Sequence, residues 1–415
     1  MHEKAFEAQC AAVQVHCQDR KQAARRTLTL FALALGSFCI GTSEFASMGI
    51  LQLFSASLGI SLPTATNAIT AYAFGVVIGA PAVTLAAASL NRRTLLLSLM
   101  VLFVIGNVLS SQAVNLGMFA AARFISGLPQ GAYFGAGAVV ASYIVGPGKG
   151  GKAFALVMTG LTVATIIGSP LATFLGQNLG WRNTYLAVAG LGALAFFALL
   201  AWVPRTDALK GAPLVQELSA LRKGSVWATM LVAALGVASI FAVYTFIGPF
   251  ITDVVVLDRS WIPVALALFG IGMTLGNLVG GQLADRYPQR GLVIGFGAAL
   301  FVLATLAVAG DNPWILMATL FGVGTTMMIA IPTIQVRLTQ FAPEAPTLMG
   351  AMNLASLNVA NAIGAWGGGA TIAAGLGLLS AAWAGFILTL LGLVVFAITL
   401  PRSPRMAAAA GGATA

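Results

Sequence analysis

The chain has 415 residues, 59% of them hydrophobic, 8% charged and 48 of them glycine; soluble domains carry about 25% charged residues, so a water-soluble fold is excluded. A membrane span needs roughly 20 mostly apolar residues, and lipid tolerates only helices or closed barrels; the long unbroken runs here are helical, unlike the short alternating segments of a barrel. The net charge of +10 would suggest nucleic acid in a soluble protein, but its placement along this chain serves orientation in a bilayer, so lipid and not nucleic acid is the expected surrounding.

Residues 1–26 carry both histidines and mixed charge without the apolar core of a signal peptide, and are read as an uncleaved cytoplasmic tail. Cys10 and Cys17 lie in that tail and Cys39 in the first span, which offers neither a disulfide framework nor a metal cluster; no cofactor is expected. Apolar runs between charged or Pro/Gly breaks then give twelve predicted spans, at 28–53, 64–88, 94–112, 116–145, 153–176, 184–203, 226–252, 261–283, 291–309, 313–335, 346–375 and 379–400. With the amino terminus in the cytoplasm, eighteen Lys and Arg fall in the tails and inner segments, Arg182 and Arg259 in outer loops, and Arg123 inside span four. That bias places both termini in the cytoplasm of a multi-pass inner-membrane protein, expected to work as a monomer.

The longest break, residues 204–225, is polar and basic and separates bundles at 27–203 and 226–400, leaving 401–415 as a second cytoplasmic tail. Within it, QELSALRK fits a short amphipathic surface helix or a solvated loop equally well. An internal repeat supports the division. An offset of 197 carries Arg93 onto Arg290, Gly75 onto Gly272, Gly79 onto Gly276, Phe124 onto Phe321 and Gly127 onto Gly324. Two duplicated bundles with a site between them are the architecture of many secondary transporters.

Five stretches carry most of the chemistry. GGQLADRYPQR (280–290) resembles the loop signature of the major facilitator superfamily, ARFISGLPQGAYFGAG (122–137) its fourth span, and TVATIIGSPLATFLGQNLGWRNTY (162–185) its antiporter signature with the Trp-Arg loop that follows. GTSEF and MGAMNLASLNVANAIGAWGGG (349–369) resemble the drug-and-sugar efflux branch, which includes the arabinose-induced efflux proteins and the chloramphenicol exporters. The resemblance covers residues 27–400 and implies an all-α membrane fold of twelve helices in two pseudo-symmetric bundles. It further implies a drug:proton antiporter acting by alternating access, with drugs, sugars or nucleosides as the substrate class.

Read physically, Gly127, Gly131 and Gly135 line one face of span four and admit a close neighbour. Arg123 on the same helix is costly in lipid unless it faces a cavity or an acid, and is expected to do so. Pro170 and Gly168 should bend span five; a structural kink and the antiporter element implied by the resemblance are both allowed. Asp285 and Arg286 lie at a helix end where a carboxylate can meet a helix amino terminus, and the resemblance implies that this loop, with Arg290, is the gating loop of the second half. The first-half copy has Ala88 and Ser89 at those places, leaving only Arg92 and Arg93. Asn353, Asn358 and Asn361 spread over a broad face of span eleven, either binding helices together or lining a wet cavity. Tyr72, Gln130, Tyr133, Tyr244 and Gln335 complete the expected cavity set.

Glu44, in IGTSEFASMG, is the only acid clearly inside the bilayer, and no histidine lies in a span. A carboxylate there is penalised when ionised, and so suits a group that takes and releases a proton. The alternatives are a structural acid paired with Arg123 or a polar neighbour, and direct attraction of a cationic substrate. The spans hold no acidic pair or metal spacing of an enzyme, and no charge ring or filter loop of a channel. A sodium-coupled or uptake carrier of the same fold stays open.

Overall fold

The computed structural model describes residues 2–60, 62–65, 67–210, 214–258, 261–287 and 289–399, and among these residues every regular element is a helix. Span one ends a continuous helix, His2–Gly49, whose part Ala24–Gly49 is apolar enough to cross a membrane. Span two is Asn67–Ala86, span three Arg92–Ser111, span five Gly150–Leu179 and span six Trp181–Trp202. Span seven begins as Gly224–Tyr244 and continues through a π-helical turn at Phe250–Val254. Spans eight to ten are Trp261–Arg286, Arg290–Ala309 and Pro313–Phe341, and span twelve is Ser380–Thr399. Span four is split at Leu128 into Leu116–Gly127 and Pro129–Val145, with Pro129 opening the second piece. Span eleven, Pro346–Ala373, runs 28 residues, its apolar character diluted by Asn and Gly.

The repeat is written into the packing. A methyl on Gly75 would run into the Phe124 carbonyl, and one on Gly272 into the Phe321 carbonyl; Gly127 meets the Tyr72 carbonyl as Gly324 meets that of Phe269. Each pair maps onto the other by the same 197-residue offset, so spans two and four of one bundle cross as spans eight and ten of the other. Small residues let these backbones touch where lipid supplies no hydrophobic drive for association.

The bundles meet at the basic face, where Asp285 accepts from the Gly151 and Lys152 amides, and also deeper between the helices. Gly135 meets the Thr347 carbonyl and Gly350 meets the backbone of Gly135, bringing spans four and eleven together. Spans five and eight join along their length: Asn277 Nδ2 donates to the Ala155 carbonyl at 2.7 Å and the Thr274 hydroxyl to Thr162 Oγ1 at 3.0 Å. Thus only Gly127 of the span-four glycine face serves its own bundle alone; Gly131 and Gly135 reach span eleven.

Two placements differ from the sequence expectation. Arg337, assigned to an inner loop by its charge, is 4% exposed within the last turns of span ten, stacked on Phe341 and Phe396 with Nη2 on the Thr399 carbonyl at 3.3 Å. Its apolar stem fills the helix end while its head finds a carbonyl. The linker does form a short helix, Leu214–Ala220, yet Glu217 and Ala220 are fully buried, so the helix packs into the basic face instead of lying on lipid. The tail at 401–415 and Arg259 lie outside the described residues.

Candidate functional site

Glu44 sits in the second half of span one at the boundary of two cavities. The larger encloses roughly 520 Å³ of space, its open mouth included. Both bundles line it: Phe45 and Met158 from one, Phe241, Tyr244, Met273 and Met328 from the other. Its polar groups are few, namely Glu44, Gln130 and Asn358, with the Tyr244 ring stacked against Phe45 at 5.9 Å. The repeat places Phe241 opposite Glu44, so one half contributes the acid and the other an apolar ring.

The smaller cavity is lined by Glu44, Tyr72, Arg123, Asn358 and Asn361. Glu44 Oε2 accepts from Gln130 Nε2 at 3.0 Å, while the other amide atom, Gln130 Oε1, is buried without a partner. Arg123, fully buried, is held by neutral groups. Nη1 donates to Ser43 Oγ at 2.8 Å and Ser126 Oγ at 3.3 Å, and Nη2 to the Ser43 carbonyl at 2.9 Å. Its guanidinium lies 4.4 Å from the Tyr72 ring centre and 5.2 Å from that of Tyr185. Among the described residues it makes no ion pair, so Glu44 and Arg123 face one small space without closing on each other.

Residues that the sequence did not single out complete this arrangement. Ser43 Oγ donates to Asn107 Oδ1 at 2.7 Å, so a buried amide of span three fixes the hydroxyl that receives Arg123. An isolated Asn in an apolar run was the available signal. The Met and Leu side chains of the cavity wall gave none, because their composition matches that of lipid-facing positions.

Of the expected cavity residues, Glu44, Arg123, Tyr72, Gln130, Tyr244, Asn358 and Asn361 come together here. Tyr133, Gln335 and Asn353 are directed elsewhere. The Tyr133 hydroxyl donates to the Leu33 carbonyl at 3.0 Å, and Asn353 Nδ2 donates to Gln335 Oε1 at 3.1 Å, joining spans ten and eleven. Gly168 ends a π-helical turn, Ala164–Gly168, just before Ser169 and Pro170. Proline lacks the N–H of a regular turn, and the widened turn absorbs the mismatch. Gly168 there abuts Thr42, two residues before Glu44.

The residues expected to form the gating loops lie at the basic face. Asp285 Oδ1 accepts from the Gly151 N–H at 2.7 Å and Oδ2 from that of Lys152 at 3.0 Å, at the start of span five. Arg286 and Arg290 are exposed beside it, Arg290 over the Tyr287 ring. In the first half Arg93 Nη2 donates to the Leu200 carbonyl at 2.6 Å, and Arg92 pairs with Glu217 at 3.1 Å.

Two bundles related by an internal repeat, enclosing a central cavity and closed at one end by loop contacts, are the architecture of a membrane transporter. The Major Facilitator Superfamily profile matches residues 33–365 and 257–415, and the chain belongs to that family of membrane transporters. It is 36% identical over 376 residues to the inner membrane transport protein YdhP of Escherichia coli, covering 90% of this chain and 96% of that one. It is 33% identical over 372 residues to a chloramphenicol resistance protein of Streptomyces lividans, covering 89% and 95%. Among solved structures, the transporter FucP in the outward conformation superposes with a TM-score of 0.69 at 15% identity, over 90% of this chain and 99% of that one, a likeness of fold.

Proposed function

We propose that this transporter exports small, largely apolar organic molecules in exchange for protons, with its basic face in the cytoplasm and Glu44 as the proton carrier. The observation that carries this reading is the position of Glu44: among the described residues it is the only carboxylate lining the central cavity, and it faces an apolar chamber on one side and the Arg123 pocket on the other. Glu44 thus has the apolar wall on one side and Arg123 on the other, and a carboxyl so placed can exchange a proton as the occupant of the cavity changes.

With the basic face shut, a proton reaching Glu44 from the far side neutralises it and releases a bound molecule outward. With that face open, the proton leaves to the cytoplasm and the restored carboxylate and apolar wall receive the next molecule. Proton and substrate thus exchange at one site. The lining supports drug-like amphiphiles, neutral or cationic, over sugars, because a sugar would leave most of its hydroxyls unpaired against Phe, Met and Leu. The chloramphenicol resistance relative agrees with efflux of that kind.

The test is transport in proteoliposomes with an imposed pH gradient, using a lipophilic cation and chloramphenicol as probes. Wild-type protein should move both uphill. Glu44→Gln keeps the shape and the Gln130 contact, and should bind the neutral probe yet fail to use the gradient. Gradient-driven transport by the Gln variant at the wild-type rate would overturn the proposal.

A further inference from the structure

We propose that Glu217, carried by the linker, supplies the latch carboxylate that the first half lacks, holding the amino terminus of span eleven as Asp285 holds that of span five. The 197-residue offset carries Ala88 onto Asp285 and Gly151 onto Leu348. In the second half the acid is present and grips the Gly151 and Lys152 amides. In the first half the loop offers only a methyl, and the amide equivalent to Gly151 is that of Leu348, in the first turn of span eleven.

Glu217 fills this vacancy from a different part of the chain. Its side chain is fully buried, and Oε1 accepts from Arg92 Nη2 at 3.1 Å. Arg92 is itself 2% exposed, and its Nη1 donates to the carbonyl of Ala88 at 3.0 Å, the residue that replaces the missing acid. The Leu348 amide acts on the same carboxylate: burial pushes Glu217 up from the usual carboxylate range, while Arg92 and then the Leu348 N–H pull it back. Oε2 is buried and accepts no other hydrogen bond, so the carboxylate keeps an acceptor for that amide. A second linker contact, Lys223 with Glu344 at 2.6 Å, anchors the same segment beside span eleven.

The arrangement differs from the second-half latch in one respect. Asp285 belongs to its own bundle, whereas Glu217 is on the segment that joins the two. When the face opens, it can stay with buried Arg92 and release only span eleven, so the buried guanidinium is never left unpaired. The proposal rests on alternating access at the basic face, and its test separates the two.

Spin labels at Leu90→Cys and Tyr287→Cys, both exposed on the basic face of opposite halves, report its opening in a protein otherwise freed of Cys10, Cys17 and Cys39. Wild type should give a short distance. Glu217→Gln should raise the long-distance population about tenfold or more, the effect of losing a charge-assisted contact present only in the closed state. Asp285→Asn should do the same and serves as the comparator. The Ala88→Asp/Glu217→Ala protein, with the acid returned to the loop, should recover the short distance. Opening by Asp285→Asn but not by Glu217→Gln overturns the proposal and leaves alternating access standing; no opening by either overturns both. A double variant that stays open, or yields no folded protein, also overturns it, since Glu217 would then be a structural pin of the linker.

Discussion

Substituting Gly350 by Ala separates contacts between the bundles from contacts within one. A methyl at Gly350 would meet the backbone of Gly135 across the interface, and one at Gly75 the Phe124 carbonyl inside the first bundle. Neither backbone can step aside as a side-chain tip would, so each substitution costs about 1–3 kcal/mol in overpacking. The helix-propensity gain of Ala, about 1 kcal/mol, is common to both conformations and cancels from their ratio. Gly350→Ala penalises only the state with the basic face shut, and shifts the balance toward the open one by about 5- to 150-fold, at tenfold per 1.4 kcal/mol. Gly75→Ala penalises both states alike; it should lower the unfolding temperature and leave the balance unchanged. Label distances across the basic face, with thermal unfolding of the same samples, give both readings. Opening by Gly75→Ala, or a Gly350→Ala protein that melts early without opening, would refute the reasoning.

Other substitutions follow from the same geometry. Gly190 and Gly297 are exposed, with nothing within 4 Å of an added methyl; Ala there should raise stability by about 0.5–1 kcal/mol with transport unchanged, and a loss would mean those faces are packed. Arg123→Lys keeps the charge but cannot span both Ser43 atoms and the Tyr72 face, so transport should fall at normal expression; wild-type transport by Arg123→Ala would remove the residue from the site. Asn107→Ala takes the acceptor from Ser43 and should cost roughly 1–3 kcal/mol while weakening transport, whereas unchanged melting would show that the Ser43 hydroxyl has another partner.

How much of this was legible in the sequence depends on the physical signal each residue leaves. Glu44 and Arg123 stand out because a charge in an apolar run has few uses. The repeat was readable because backbone contact demands glycine at both ends, at Gly75 and Gly272 alike. By contrast, Tyr133 and Gln335 have the chemistry of cavity residues, and only packing reveals that the Leu33 carbonyl and Asn353 already engage them. Met158 and Met328 line the cavity but share their composition with residues that face lipid. Glu217 lay hidden for another reason: its linker reads as an ordinary charged loop, and its burial against Arg92 depends on how two distant segments meet.

The claim that Glu44 exchanges protons with substrate is tested most directly by counting those protons. Purified protein in weakly buffered detergent, mixed with a lipophilic cation, should release up to one proton per molecule bound. Glu44→Gln should release none while still folding. Equal release by the wild-type and Gln proteins would place the exchanged proton on another group and contradict the account.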